Sequence, residues 1–460
     1  MPLRSYQVAA IKKALPVLKD TGGFYVQHAP GMGKTLTGLS LSRLLGVSTN
    51  VVICPSSAVG VWCREIRQWL GPDISITIIE GEEIPPRSHK KEGFYIASWG
   101  AVRGDGRGYQ RRHFLELVRP DLLIADEVHH AKSWSSGNNQ ALRHLRAKSG
   151  SALFLSGTPA HSVEDYWAQY RLLARQTHPW NKTLGEYRDW VGVWDRNHVY
   201  LESYRPAEVA EAMDSMLRLT HVATTAETDW PAPVESIVTV KLSPREQKAY
   251  DELEATRWTE VDGQDISAEL AMTKVLRLSQ LTGGWVTSKA GTAVKVGSSK
   301  LDALVELLED RPTSNILVAA TFTAEIQEMQ QRLSKLKTHR VLTIQGGLTW
   351  QQKTHIEDTF QRATHPTVLI LQYRAGGEAM TLTSASTLIR YSIHPSVIAF
   401  TQMNGRAWRE GQTKHVEFIS LLAEGTLDSE VLQGVRSGLD MVSLARHIEM
   451  RRQQQTSVTH

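Results

Sequence analysis

At 460 residues, with hydrophobic side chains at 41% and charged ones at 22%, the chain has length for two to three domains and is neither disordered nor fibrous. Its net charge of +4, from 52 basic and 48 acidic residues, permits a polyanionic partner without demanding one. Two cysteines exclude a disulfide framework and a structural zinc module. With no leader or membrane-length apolar run read, no membrane partner is expected, and a reducing cytoplasm is the expected compartment (the host's, for a viral gene).

Leu3-Arg4-Ser5-Tyr6-Gln7 opens an amphipathic helix with Ala10, Ile11, Ala14 and Leu15 on one face, which Pro16 is expected to end or kink. Gly23–Gln27 reads as a short buried strand. Ala29-Pro30-Gly31-Met32-Gly33-Lys34-Thr35 follows, and apolar residues from Leu36 to Leu45 then recur at helical spacing. Strand, glycine loop and helix start are the parts of a nucleotide phosphate cradle, in which backbone N–H groups and a helix N-terminus converge on phosphate. Lys34 is placed to reach the outer phosphates and the Thr35 hydroxyl to ligate Mg2+. The strict motif asks for glycine at position 28, where this chain has His28.

Strands are expected at Val51–Cys54, Ile74–Ile79, Phe94–Ala97, Leu122–Ala125 and Leu153–Leu155, alternating with helices such as Val59–Leu70. That rhythm is α/β, a parallel sheet with helices on both faces. Gly104–Gly108 reads as a basic, glycine-rich loop. Asp126 and Glu127 fall at the carboxyl end of a core strand, where such sheets bind ligands. Asp126 is placed to hold Mg2+ through water, and Glu127 to orient and deprotonate an attacking water. His129-His130 lacks the ligand spacing of a zinc site. Ser156-Gly157-Thr158-Pro159 could sense the nucleotide state. From about 163 to 216 the chain reads as a packed helical insertion rich in aromatics, Trp167, Tyr170, Trp180, Tyr187, Trp190 and Trp194 among them.

Trp230-Pro231-Ala232-Pro233 reads as a connector, Ile237–Leu242 as a strand, and Ser243-Pro244 with Glu246 as a capped helix start. Helices run on through Leu281, and Val286–Ser299 reads as a Gly/Ser-rich connection. A second alternating unit follows: helix Lys300–Leu308, strand Ile316–Ala320, helix Glu325–Leu336, then strands Val341–Ile344, Val368–Leu371 and Thr387–Tyr391. The next helix is expected to carry Arg406 and Arg409 on one face, able to reach phosphate. No second phosphate loop is visible, so this half is expected to complete the first site. Arg451–Gln455 reads as a polar tail.

The ordered set resembles a superfamily-two helicase motor, and within it the Swi/Snf-like DNA translocases. Tyr6-Gln7 resembles the adenine-reading glutamine motif, Gly31–Thr35 motif I, Asp126–His129 motif II, Ser156–Pro159 motif III and Gly376–Thr383 motif V. Gly405–Gln412 resembles the motif VI signature, with Trp408 in place of its histidine. Leu242-Ser243-Pro244, Leu276–Gln280 and Ser298–Leu301 are also similar to phrases of the family. Ala29-Pro30 replaces the usual Asp-Glu, and Glu378-Ala379 departs from motif V.

The resemblance implies two RecA-like domains with helical insertions: 1–228, then 229–445 with a helical leading segment at about 243–285, and a polar tail at 446–460. It implies ATP with Mg2+ in a cleft between the domains. Gln7 and Arg4 would hold adenine, and Pro30, Gly31, Met32, Gly33, Lys34 and Thr35 the phosphates and metal. Asp126 and Glu127 would serve metal and water, with Arg406 and Arg409 arriving from the second domain. Duplex or branched DNA would be held through its backbone at Ser57, Ser98, Thr321, Gly346 and Thr383 by a monomeric bare motor. The competing expectations are an RNA helicase, and a nucleotide-gated clamp or motor subunit of a restriction or repair complex.

Overall fold

Most of the apolar runs expected as strands are buried along almost their whole length, as strands covered on both faces must be, whereas Ile74–Ile79, Ile237–Leu242 and Val341–Ile344 fall on outer strands of their sheets and are only partly buried. The structure is a computed structural model. It describes residues 3–80, 84–86, 92–157, 163–174, 176–194, 201–258, 268–288, 292–376, 380–412, 414–439, 444 and 448. The chain divides into two units, Met1–Asp229 and Trp230–His460.

In the first unit the strands are β1 (Gly23–His28), β2 (Thr49–Cys54), β3 (Ile76–Ile78), β4 (Gly93–Ser98), β5 (Leu122–Asp126) and β6 (Ser151–Leu155), followed by a separate hairpin of β7 (Gly192–Trp194) and β8 (Leu201–Tyr204), and then β9 (Thr220–Ala223). Among these, β3-β4-β2-β5-β6-β1-β9 form one sheet in that order, with every pairing parallel. Leu155 is level with Asp126 on one side and with Val26 on the other. The three motif-bearing loops therefore leave neighbouring strands at one edge of the sheet.

Pro16 neither ends nor visibly divides the first helix, which runs Ser5–Thr21. Both Pro16 and Lys12, whose carbonyl loses its partner, are exposed, so water can serve that carbonyl. The basic loop is shorter than expected, because Arg107 and Gly108 already belong to helix Arg107–Val118. The insertion holds helices Val163–Ala174, Leu184–Val191 and Pro206–Arg218 together with the β7–β8 hairpin. Its aromatics are core: Trp167, Tyr170, Trp180 and Tyr187 are all buried, and Tyr170 stacks on Trp180 at 5.0 Å. Gly23 is required where this insertion crosses β1, since a Cβ there would lie 2.7 Å from the Leu173 carbonyl oxygen.

The second unit has strands β10 (Val234–Val240), β11 (Trp285–Thr287), β12 (Ala293–Lys295), β13 (Ile316–Ala320), β14 (Arg340–Ile344), β15 (Thr367–Gln372), β16 (Thr387–Arg390) and β17 (Glu417–Ala423). Its main sheet, also parallel throughout, has the order β10-β17-β16-β13-β15-β14. The expected Gly/Ser connection instead contains the antiparallel pair β11–β12. The capping box is present: Ser243 N and Oγ donate to Glu246, which in turn is capped by Ser243 Oγ at 3.3 Å. Two cores, one on each face, hold Val318, Ile370 and Ile389 on one side and Leu317, Leu369 and Leu388 on the other. The architecture is that of two RecA-like α/β units. Among the described residues no helix is long and apolar enough to cross a membrane. The expected polar tail lies outside the described residues apart from Ile448.

Candidate active site

The phosphate-loop turn rests on two glycines in the left-handed region, Gly31 (φ 83°) and Gly33 (φ 65°). That conformation is one only glycine adopts freely. Gly33 caps helix Lys34–Leu45, so Lys34 and Thr35 stand at a helix N-terminus. Lys34 Nζ donates to the His28 carbonyl at 3.2 Å and lies 3.8 Å from Glu127 Oε1. Met32 is fully buried. Gln7 is buried too: its Oε1 accepts from Arg4 N at 2.8 Å and its Nε2 donates to Gly33 O at 3.2 Å. The glutamine segment is thus tied directly to the phosphate loop. The Arg4 guanidinium lies 3.6 Å from Asp229.

His28, which replaces the motif's first glycine, is buried against the Tyr6 ring and bonds His221 on β9 at 3.0 Å. Burial, with His221 and Lys34 alongside, pulls its imidazole down to about 3, so it is neutral. Gly157, just after β6, closes over the loop: a Cβ there would meet Pro30 Cδ at 2.9 Å and the His28 carbonyl at 3.1 Å.

Asp126 ends β5 and is buried. Trp62 Nε1 donates to its Oδ2 at 2.9 Å and Glu127 N to its Oδ1 at 3.0 Å, while Trp99 Nε1 donates to its carbonyl at 3.0 Å. Burial and the adjacent Glu127 carboxylate push the Asp126 carboxyl up to about 6. Glu127 takes φ 47°, ψ 53°, a left-handed conformation rare outside glycine and typical of residues held in place for function. Its Oε2 accepts from Ser156 Oγ at 3.3 Å and lies 3.3 Å from His129 Nδ1, and His129 in turn is 3.2 Å from Ser156 Oγ. Lys34, Glu127, His129 and Ser156, from three loops, form one connected group. Thr158 and Pro159 lie outside the described residues.

Trp62 and Trp99 carry no motif and were missed by sequence reasoning. The available signal is that a buried indole N–H must find an acceptor. As a donor set, one helix-terminal hydroxyl (Thr35) and one buried carboxylate already bonded on both oxygens (Asp126) fit a Mg2+ ion held through water and phosphate oxygens.

In the second unit, helix Val397–Ala407 stops before Arg409, because Trp408 turns extended (φ −98°, ψ 92°). Arg406 and Arg409 therefore do not share a helical face, as the spacing had suggested. They are brought together differently: Arg406 Nη1 and Arg409 Nη1 both donate to Met380 O, at 3.1 and 2.7 Å. The same segment is fixed by Leu382 N to Arg406 O at 3.0 Å and Gln412 Nε2 to Thr383 O at 3.1 Å. Gly377, Glu378 and Ala379 lie outside the described residues.

Ser57 follows β2 and Ser98 ends the adjacent strand β4, and both are buried. The Ser98 hydroxyl is engaged by Ala101 N at 3.2 Å. Thr321 and Gly346 follow β13 and β14, and Gln372, at the end of the intervening β15, joins them: Gly346 N donates to its Oε1 at 2.9 Å and its Nε2 donates to Thr321 O at 3.4 Å. Gln372 was not anticipated from sequence. Thr383 Oγ1 accepts from Gln361 Nε2 at 3.2 Å, in the arginine-holding segment rather than beside Thr321.

A phosphate loop, an acidic strand end and a third polar loop on neighbouring parallel strands have the arrangement of a P-loop nucleotide-binding unit, here followed by a second RecA-like unit. The SNF2-related domain model matches residues 6–284, and the helicase conserved C-terminal domain model matches residues 299–411. The chain belongs to the SNF2-related family of helicase-like proteins. It is 24% identical over 436 residues to the human DNA annealing helicase and endonuclease ZRANB3, covering 90% of this chain and 38% of that one. It is 22% identical over 467 residues to the Saccharomyces cerevisiae ISWI chromatin-remodeling complex ATPase ISW1, covering 94% and 39%. The chain thus spans less than half the length of these curated relatives. The Sulfolobus solfataricus SWI2/SNF2 ATPase core in complex with dsDNA aligns at 20% identity and TM-score 0.45, covering 97% of this chain and 93% of that one.

Proposed function

We propose that this chain is an ATP-dependent DNA translocase of the Swi/Snf-like type, hydrolysing ATP with Mg2+ to move on or remodel duplex or branched DNA. The observation that carries the reading is the single network of Lys34, Glu127, His129 and Ser156 across the ends of three adjacent strands. Gln7 and Arg4 hold adenine, and residues 30–35 cradle the phosphates. Thr35 and Asp126 would hold Mg2+, which would supply charge neutralisation on the phosphates. Glu127, held by Ser156 and His129, takes a proton from the attacking water. Arg406 and Arg409 stabilise charge on the transferred phosphoryl group. DNA is held through its phosphates at the loops of Ser57, Ser98, Thr321, Gly346 and Thr383. The reading takes the chain as a monomer working in the cytoplasm, or in the host's for a viral gene.

The test is steady-state ATP hydrolysis without nucleic acid and with single-stranded, duplex or forked DNA, or RNA. Strong stimulation by duplex or forked DNA is expected. Lys34→Ala should abolish turnover, and Glu127→Gln should abolish it with ATP binding retained. Stimulation by RNA alone, or near-normal turnover in Glu127→Gln, overturns the reading.

A further inference from the structure

Trp408 stands between the two arginines, at the point where the helix carrying Arg406 gives way to extended chain. Its indole does not point to open solvent. Nε1 donates to the Pro231 carbonyl at 2.9 Å, and the Trp230 ring meets the Trp408 ring edge-on, centroids 5.9 Å apart at 82°. Trp408 also packs against the hydrophobic core cluster whose buried members include Met380, Leu382, Met403 and Ala407. Met380 is the residue whose carbonyl receives both arginines. One side chain, placed in sequence between the two arginines, therefore bonds the connector by which the chain enters the second unit and packs against the cluster to which Met380 belongs.

The connector suits this use. Pro231 and Pro233 flank Ala232, each with φ fixed by its ring, so Trp230–Pro233 is a stiff stretch. An indole N–H is a donor with no acceptor role, and the Pro231 carbonyl is a backbone acceptor that no substitution by an ordinary side chain removes. An imidazole at position 408, the family's usual choice, is smaller and lacks the indole's benzo ring.

We propose that Trp408 is a positioning residue that anchors the Trp230–Pro233 connector to the arginine segment, so that the path of the connector governs where Arg406 and Arg409 stand and hence the rate of ATP turnover. The inference rests on the functional reading given above. Displacing the connector would drag on the indole and, through residues 406–409 and Met380, on both guanidinium groups. Binding of adenine and phosphates, which involves Gln7 and Lys34, would be left alone.

The experiment uses the full chain and three variants, Trp408→Phe, Trp230→Leu and the double substitution. Trp408→Phe keeps a packed ring and deletes the N–H. Trp230→Leu lies in a half-exposed connector and leaves the core intact, which guards against loss by misfolding. Each single variant should lower DNA-stimulated kcat by roughly five- to tenfold, the scale of one hydrogen bond or one aromatic pair. KM for ATP should stay within about twofold. The double variant should be no slower than the slower single, because both act through one contact. Hydrogen–deuterium exchange of segment 226–236 should quicken in Trp408→Phe, a readout independent of turnover. Wild-type kcat in both singles, losses that multiply in the double, or unchanged exchange would overturn the inference. A wild-type chain that hydrolyses no ATP on any nucleic acid overturns instead the functional reading on which it rests.

Discussion

Glu235→Ala should destabilise the second unit by about 2–3 kcal/mol. Arg390, at the end of β16, is completely buried, and its guanidinium lies over the rings of Phe400 and Phe418 at 4.6 and 4.7 Å. Glu235 on β10 meets it bidentately at 2.9 and 3.1 Å, while Asn404 Oδ1 and Ser420 Oγ take the remaining bonds. Breaking a buried ion pair from one side costs about 3–5 kcal/mol because the other charge stays buried. The Glu235 side chain is 39% exposed, so water can enter beside Arg390 and the lower range applies. Arg436, half-exposed on the same carboxylate, adds little.

Burial alone would raise the Glu235 carboxyl, but hydrogen bonds and charge from Arg390 and Arg436 hold it below its usual value. The sign follows: this stabilisation is present above the unfolded value near ~4.3 and is lost as pH falls through the folded one. The assay is urea unfolding of wild type and Glu235→Ala at pH 7 and at progressively lower pH. At neutral pH the folding equilibrium should change by roughly 30- to 150-fold, and the gap should close in acid below about pH 4. A loss under about 0.5 kcal/mol at neutral pH, within the range of an ordinary surface change, would refute the reasoning.

Arg406→Ala or Arg409→Ala should cut turnover by a factor of about 10³ or more with ATP affinity far less changed, as expected for groups that act on the transferred phosphoryl, and single-turnover kinetics with equilibrium nucleotide binding checks it. Lys300, buried on helix Ser299–Glu309, pairs with Asp428, which also accepts from Ala423 N at 2.9 Å and Thr282 Oγ1 at 3.0 Å. Lys300→Met should therefore cost about 3–5 kcal/mol in thermal or urea unfolding, since Asp428 stays behind. His394 is held neutral, its imidazole pulled down to about 4 by burial and by Arg374, with Nδ1 accepting from Ser396 N at 3.1 Å. The unfolded chain takes up this proton near pH ~6.5 and the folded one does not, so roughly 2–4 kcal/mol of stability should be lost between about pH 6.5 and pH 4. His394→Asn should flatten that part of the stability–pH curve.

Local signals located what local chemistry determines. The strand before the phosphate loop, the acidic end of β5 and Ile316–Ala320 were legible because a buried parallel strand must be a short apolar run, and because a phosphate cradle needs glycine at Gly31 and Gly33. Strand β9 escaped notice: Thr-His-Val-Ala is short and half-polar, and it becomes a strand through pairing with β1. Helix Trp350–Gln361 and strand β17 were likewise passed over, although Thr349 and Gln352 form a capping box that the sequence contains in plain form.

The site was less legible than the fold because its fine structure consists of bonds between residues far apart in sequence. Trp62 and Asp126 are 64 residues apart, and Arg406 reaches Met380 across 26. Helical spacing predicts a shared face for Arg406 and Arg409 only if the helix continues, and it ends at Ala407, where Trp408 turns extended with its indole on the Pro231 carbonyl. The two arginines then meet at one carbonyl from two different backbone conformations. A pattern rule carries no information about an acceptor 177 residues upstream, so the residue type that departs from the family's motif is where the pattern reading fails and where the structure adds most.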